Sequence, residues 1–141
     1  MTNHQINLRQ AVPFFMVTDM KRSIEFYVKA MGFELKIEWK PEGKIRWCWL
    51  EREGVAIMLQ EYHKEFLPAE KRGQGVSICF MCNDAIALYK EFLQNKLSPQ
   101  EPFVGNNLWV VQINDPDGYM LCFESPTDVP EETKYSAFLK K

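Results

Sequence analysis

Apolar positions along the chain switch repeatedly between the spacing of a strand and that of a helix. AVPFFMV, residues 11 to 17, is β-branched and aromatic and predicts a strand. It leads into DMKRSIEFYVKAMGF, where Ile24, Tyr27, Ala30 and Met31 recur at helical spacing behind Asp19 as N-cap, with Gly32 as the stop. FELKIEWK, KIRWCWLER and VAIMLQEY follow, separated by a PEGK turn and a turn at Glu53 and Gly54, and predict three consecutive antiparallel strands. HKEFLPAEKRGQ reads as a polar helical connector. The order then begins again: GVSICFMC predicts a strand, and NDAIALYKEFLQNK a helix with Ile86, Tyr89 and Leu93 inward. A weak strand around Pro102 to Val104, a strong one at LWVVQIND, a DPDG turn and the strand YMLCFES complete it.

The whole is βαβββ written twice, an α+β fold of two modules. Asp19 and Asp84 open the two helices 65 residues apart, and Gly54 and Gly118 precede the two last strands 64 apart, so one deletion reconciles the copies. Phe26 and Tyr27 are taken to answer Leu88 and Tyr89. The expected organisation is an N-terminal arm at 1–10, a first module at 11–61, a connector at 62–74, a second module at 75–126 and a tail at 127–141. In the tail a short helix is expected to pack through Tyr135, Phe138 and Leu139.

Composition narrows the function classes. With 141 residues, 46% of them hydrophobic, the chain can bury one solid core as a single domain. A net charge of −2 offers no basic face for nucleic acid or an anionic membrane. No apolar run approaches the ~20 residues of a membrane-spanning helix, and MTNHQINLRQ lacks the apolar centre of a secretory signal, so a cytoplasmic location is expected. Cys48, Cys79, Cys82 and Cys122 lie in β-patterned runs and are read as reduced thiols. Cys79 and Cys82 spell CxxC, but a zinc ribbon needs a second pair and none exists.

Val17 to Tyr27 (V-x-D-x-x-x-S-I-x-F-Y), the M-G-F of residues 31 to 33 and the DPDGY of the closing hairpin resemble the vicinal oxygen chelate superfamily. The chain looks most like its glyoxalase/bleomycin-resistance branch, to which WCWLEREGVAIMLQE at 47–61 is also similar. The resemblance spans about residues 11 to 126. It implies paired βαβββ modules, each a curved sheet with its helix on the convex side, whose concave faces enclose a cavity that in many members spans a dimer interface. Metal-dependent members carry ligands on the first and last strands of each module. Carried over, those positions fall on Val12, Ser77, Met58 and Cys122, none of them a His or a carboxylate. His4 and His63 lie in the arm and the connector. No metal and no cofactor is therefore expected.

If those four residues face the cavity, period-two alternation adds Phe14, Met16, Ala56, Gln60, Cys79, Met81, Met120 and Glu124 to its lining. Thioethers and thiols adapt to irregular apolar ligands, and equally fill a closed core. Gln60, Ser77 and Glu124 favour the cavity, since polar groups in a dry core need partners. Trp47 and Trp49 share one strand face, and Trp109, on the equivalent strand of the second module, is grouped with them as a stacking surface for a planar or cationic aromatic ligand. No GxSxG elbow, phosphate-cradling loop or His-activated nucleophile is present. The expected function is metal-free binding of an apolar or aromatic small molecule, as the resistance proteins bind a cationic glycopeptide. The alternatives are a metal-dependent or Glu124-based lyase, isomerase or dioxygenase of the same superfamily, and a non-catalytic interaction module. Pro13 removes a ladder donor from the first strand and predicts an edge, which a homodimer with exchanged N-terminal arms would cover.

Overall fold

The computed structural model describes residues 5–67 and 72–140. His4, the first part of the expected arm, and residues 68–71 of the expected connector lie outside the described residues. Eight strands and three α-helices are β1 (Phe14–Val17), α1 (Met20–Ile24), β2 (Glu34–Trp39), β3 (Trp47–Arg52), β4 (Val55–Glu61), β5 (Ser77–Met81), α2 (Ala85–Gln94), β6 (Phe103–Gly105), β7 (Leu108–Asn114), β8 (Met120–Pro126) and α3 (Tyr135–Leu139). They build two four-stranded mixed sheets, in the orders β1-β4-β3-β2 and β5-β8-β7-β6. In each, the first strand pairs parallel with the last, and the other pairings are antiparallel. Of the connector, Lys64–Phe66 forms a single 3-10 turn.

The local signals act where the sequence places them. Asp19 accepts a hydrogen bond from the Arg22 N–H and Asp84 one from the Ala87 N–H, each capping its helix. Glu53 and Gly54 both take positive φ, which suits the tight turn between β3 and β4, and Gly118 does so in the DPDG turn. Beyond Ile24 the first helix widens to a π-helix over Glu25–Ala30, which keeps Met20, Ser23, Tyr27 and Met31 on its buried side. Of the expected inward set of α2, Ile86 and Tyr89 pack against the core, but Leu93 is largely exposed, and Ala85 and Phe92 are the fully buried residues. Phe92 stands 65 residues from Tyr27, the same step as the two caps, so it is the counterpart that Leu88 and Tyr89 were expected to supply.

Helix-facing residues of both sheets meet in one core that includes Phe15, Tyr27, Phe33, Leu50, Phe80, Phe92 and Phe123. Burying each large side chain contributes about 2–3 kcal/mol, so this shared core is the main force joining the modules. Polar contacts then fix their relative setting. Tyr119 stacks on Phe15 at 4.5 Å and donates its hydroxyl to the Met16 carbonyl, while Thr18 donates through its amide and its hydroxyl to Asp117. Arg52 reaches Glu91 of α2 with two bonds of 2.8 and 2.9 Å. The tail lies along the outer edge of β6, exchanging hydrogen bonds with Val104 through Glu132 and Thr133, and so covers that edge. In α3, Tyr135 and Phe138 pack on Trp109, but Leu139 is exposed.

Candidate functional site

Because one face of each sheet is spent on the common core, the opposite faces are left to solvent. Register defines what the first sheet shows there. Phe14, Met58, Trp49 and Ile37 form one row across four strands, and Met16, Gln60, Trp47 and Trp39 form the next. At ~4.8 Å per strand each row spans about 14 Å. Phe14 is 48% exposed, and Ile37 and Trp39 are each 55% exposed. An open patch of three indoles and four further apolar side chains exceeds the singly scattered apolar residues of an ordinary surface and makes this face the candidate site.

The second sheet presents different chemistry. Across β5, β8 and β7 the rows are Ser77, Met120 and Asn114, then Cys79, Cys122 and Gln112, then Met81, Glu124 and Val110. Gln112 donates its amide to the Cys122 sulfur at 3.8 Å. Cys79 is exposed and lies diagonally across the β5–β8 pairing from the Glu124 carboxylate. Burial, then that carboxylate, push its thiol up to about 11. A thiol so held is protonated at neutral pH and is a poor nucleophile. The face is thus a floor of sulfur and amide with one carboxylate, suited to binding more than to covalent catalysis.

The structure places the expected lining residues as follows. Phe14, Trp47, Trp49, Met58 and Gln60 lie on the open face of the first sheet, with Met16 and the more buried Ala56. Ser77, Met120, Cys122 and Glu124 lie on the open face of the second, with Cys79 and Met81. Trp109 is a correction. It pairs with Ser125 and Val104, an odd number of residues from Gln112, and therefore points to the helix side, 7% exposed and packed edge-on against Tyr135 and Phe138. Pattern reading missed Ile37 and Trp39. A bulge between Leu35 and Ile37 breaks the alternation of β2, leaving Leu35 opposite Leu50 and turning Ile37 and Trp39 to the open side. Counting outward from the PEGK turn, which sets Trp39 opposite Trp47, would have found them.

Among the described residues a groove of about 490 Å³ lies at the seam between the modules on the helix side, not between the two open faces, lined by Phe33, Val55, Phe80 and Phe123 and bridged by Arg52 and Glu91. Nor do the faces offer a hard metal site. Met58 and Cys122 stand opposite Phe14 and Cys79, Ser77 stands beside Met120, and Val12 precedes β1. Among the described residues no group of three or more His, Cys, Asp and Glu side chains could hold a metal ion. The oxygen and imidazole donors that a divalent centre needs are not assembled on either face.

Comparison with known proteins agrees with this architecture. A family model described as Glyoxalase/Bleomycin resistance protein/Dioxygenase superfamily matches residues 8–123. No curated protein sequence matches the chain. Among solved structures, TnmS3, an antibiotic binding protein from Streptomyces sp. CB03234, superposes with a TM-score of 0.65 at 18% identity, covering 86% of this chain and 100% of its own. TioX from Micromonospora sp. ML1 gives 0.64 at 16% identity, covering 83% and 99%. UcmS2 gives 0.70 at 17% identity, covering 84% and 98%. At these identities the structures share the fold alone. No helix of the described residues is long and apolar enough to cross a membrane. Two βαβββ sheets on one core and a family match over most of the length together show that the chain belongs to the glyoxalase/bleomycin resistance/dioxygenase superfamily.

Proposed function

We propose that this protein is a small-molecule binding protein of the bleomycin-resistance type, which sequesters an apolar or aromatic compound without changing it and needs no divalent metal. The observation that carries the reading is the indole-rich open face of the first sheet, where Trp39, Trp47 and Trp49 lie beside Phe14 and Ile37. Stacking on such a surface holds planar rings, and a cationic ring system gains further from the π faces. That TnmS3 is an antibiotic binding protein with the same fold supports the ligand class.

One open sheet is half of a cleft. In this reading a second copy supplies the other half, so that the indole face of one subunit stands opposite the sulfur and carboxylate face of its partner in a C2 homodimer. Two features favour that arrangement. β1 and β5 are both edge strands, and in the extended arm Ile6 and Leu8 are almost fully exposed. Pro13, just before β1, accepts the Met58 N–H with its carbonyl, so the donor it lacks is missing from the inner side, facing β4, and not from the outward edge.

Metal independence separates this reading from a metal-dependent enzyme of the same superfamily. Purified protein titrated with a panel of planar aromatic antibiotics, with tryptophan fluorescence as readout, is expected to bind equally before and after dialysis against a chelator. A ligand lost on chelation and restored by zinc, nickel, manganese or iron would replace sequestration with the metal-dependent alternative.

A further inference from the structure

Cys79 and Cys122 are direct partners in the parallel pairing of β5 and β8. Their Cα atoms are therefore one interstrand spacing apart, ~4.8 Å, inside the roughly 4.4–6.8 Å found for bridged cysteines. Both side chains leave the sheet on its open side, since the flanking Leu121 and Phe123 are in the core. Cys79 is exposed to reagents, while Cys122 is buried next to it. The remaining thiols are badly placed for either. Cys48 is fully buried in the first module, where burial pushes its thiol up to about 12. Cys82 follows the end of β5, packs against the core and donates to the Glu124 carbonyl at 3.5 Å.

We propose that Cys79 and Cys122 are a site of reversible oxidative modification, closing a cross-strand disulfide in response to low-molecular-weight disulfides such as oxidised glutathione. Cys79 gives up its proton and attacks one sulfur of the oxidant, forming a mixed disulfide and releasing one glutathione thiolate, which takes up that proton. Cys122 then gives up its proton and attacks the Cys79 sulfur, and the second glutathione leaves with the proton. The two protein thiols lose two electrons and two protons, and one oxidised glutathione becomes two reduced ones.

The bond is labile by construction. On neighbouring parallel strands the Cβ atoms project side by side, about one strand spacing apart, beyond the roughly 3.5–4.5 Å of a relaxed bridge. That strain makes the disulfide easy to reduce, as regulatory bridges are. Formation is slow at neutral pH, because Glu124 and Cys122 of β8 face Cys79 and, with burial, keep its thiol protonated, whereas Ser77 on its own strand only partly offsets them. It accelerates as pH rises, with the thiolate fraction. Closure also replaces the Cys79 thiol, a diagonal neighbour of Glu124, by a disulfide that has no proton to donate, leaving the carboxylate to a ligand cation. That last consequence rests on the binding reading above; the disulfide itself does not.

The test is oxidation of the full chain by oxidised glutathione at mildly alkaline pH, read by intact mass and peptide mapping. The expected product has lost two hydrogens, contains a linked Cys79–Cys122 peptide and returns to the starting mass with dithiothreitol. Cys79→Ser and Cys122→Ser each abolish the link, while Cys82→Ser leaves it intact. Should Cys122→Ser fail to fold, the exposed Cys79→Ser and the peptide map of the wild type decide alone. Failure to oxidise, a glutathione adduct that persists on Cys79, a link to Cys82 or a link between chains would each overturn the proposal, whatever ligand the protein binds.

Discussion

Replacing Asp115 by alanine is expected to destabilise the protein by about 3–5 kcal/mol, lowering Tm by roughly 10 °C or more. Asp115 is buried at the start of the DPDG turn. Its Oδ1 accepts the N–H groups of Asp117 at 2.9 Å and Tyr119 at 2.8 Å, and its Oδ2 accepts the hydroxyl of the fully buried Tyr27 at 2.8 Å. One side chain thus holds the turn of the second module and an aromatic of the first. Alanine strands three donors in a dry site, each at a cost of about 1–3 kcal/mol before relaxation. Asp115→Asn should cost only about 1 kcal/mol, because the amide oxygen keeps both backbone bonds and the amide nitrogen can donate to the Tyr27 oxygen. The pair also predicts a pH dependence. Burial outweighs the hydrogen bonds and raises the Asp115 carboxyl above the usual carboxylate range. Its protonation-linked stability is therefore fully present below the unfolded value, near pH 4, and is lost as pH rises through the raised folded value. The advantage of wild type over Asp115→Asn should shrink from acid toward neutral pH. Thermal denaturation of both proteins across that range checks it, and an advantage that grows with pH would refute this account of the site.

Much of this was legible in the sequence, and the failures have local causes. The duplicated order of elements followed from the alternation of spacings, the paired caps Asp19 and Asp84 and the paired turns at Gly54 and Gly118, all of which are local chemistry. Side-chain direction followed equally well wherever a strand was unbroken, as in β4 and β8. It failed at β2, where a bulge inverts the phase and hides Trp39, and at β7, where Trp109 was matched to Trp47 and Trp49 by residue type and not by register. The pairing of Cys79 with Cys122 could not be read from either strand alone, since it depends on how β5 slides along β8. On α2 the spacing placed Ile86 and Tyr89 rightly against the core but also turned Leu93 inward, and it passed over Ala85 and Phe92, the fully buried residues of the helix.

The second large effect is expected at Trp49. This indole sits in the middle of the row Phe14, Met58, Trp49 and Ile37, flanked by apolar neighbours on both strands. Central aromatic anchors of this kind carry most of the binding free energy of a surface, at about 2 kcal/mol or more each. Trp49→Ala should therefore weaken the affinity for a planar aromatic ligand about 30-fold or more, while the half-buried position limits the loss of stability. Trp109→Phe supplies the converse. Packed among Tyr135 and Phe138 on the helix side, it should lower Tm and leave affinity unchanged. Fluorescence titrations and melting curves of the two variants separate the roles, and equal losses of affinity would show that the indoles of the open face are not the binding wall.

Two copies of this chain are expected to complete one another's half-clefts around small molecules. Native mass spectrometry in the presence of a planar aromatic antibiotic that quenches the tryptophans reads assembly and ligand count together. The account predicts a species of twice the 16.6 kDa chain mass carrying two equivalents of ligand, with no ligand on residual monomer. A 16.6 kDa monomer at micromolar concentration, or a monomer that binds the ligand as tightly as the dimer, would contradict it.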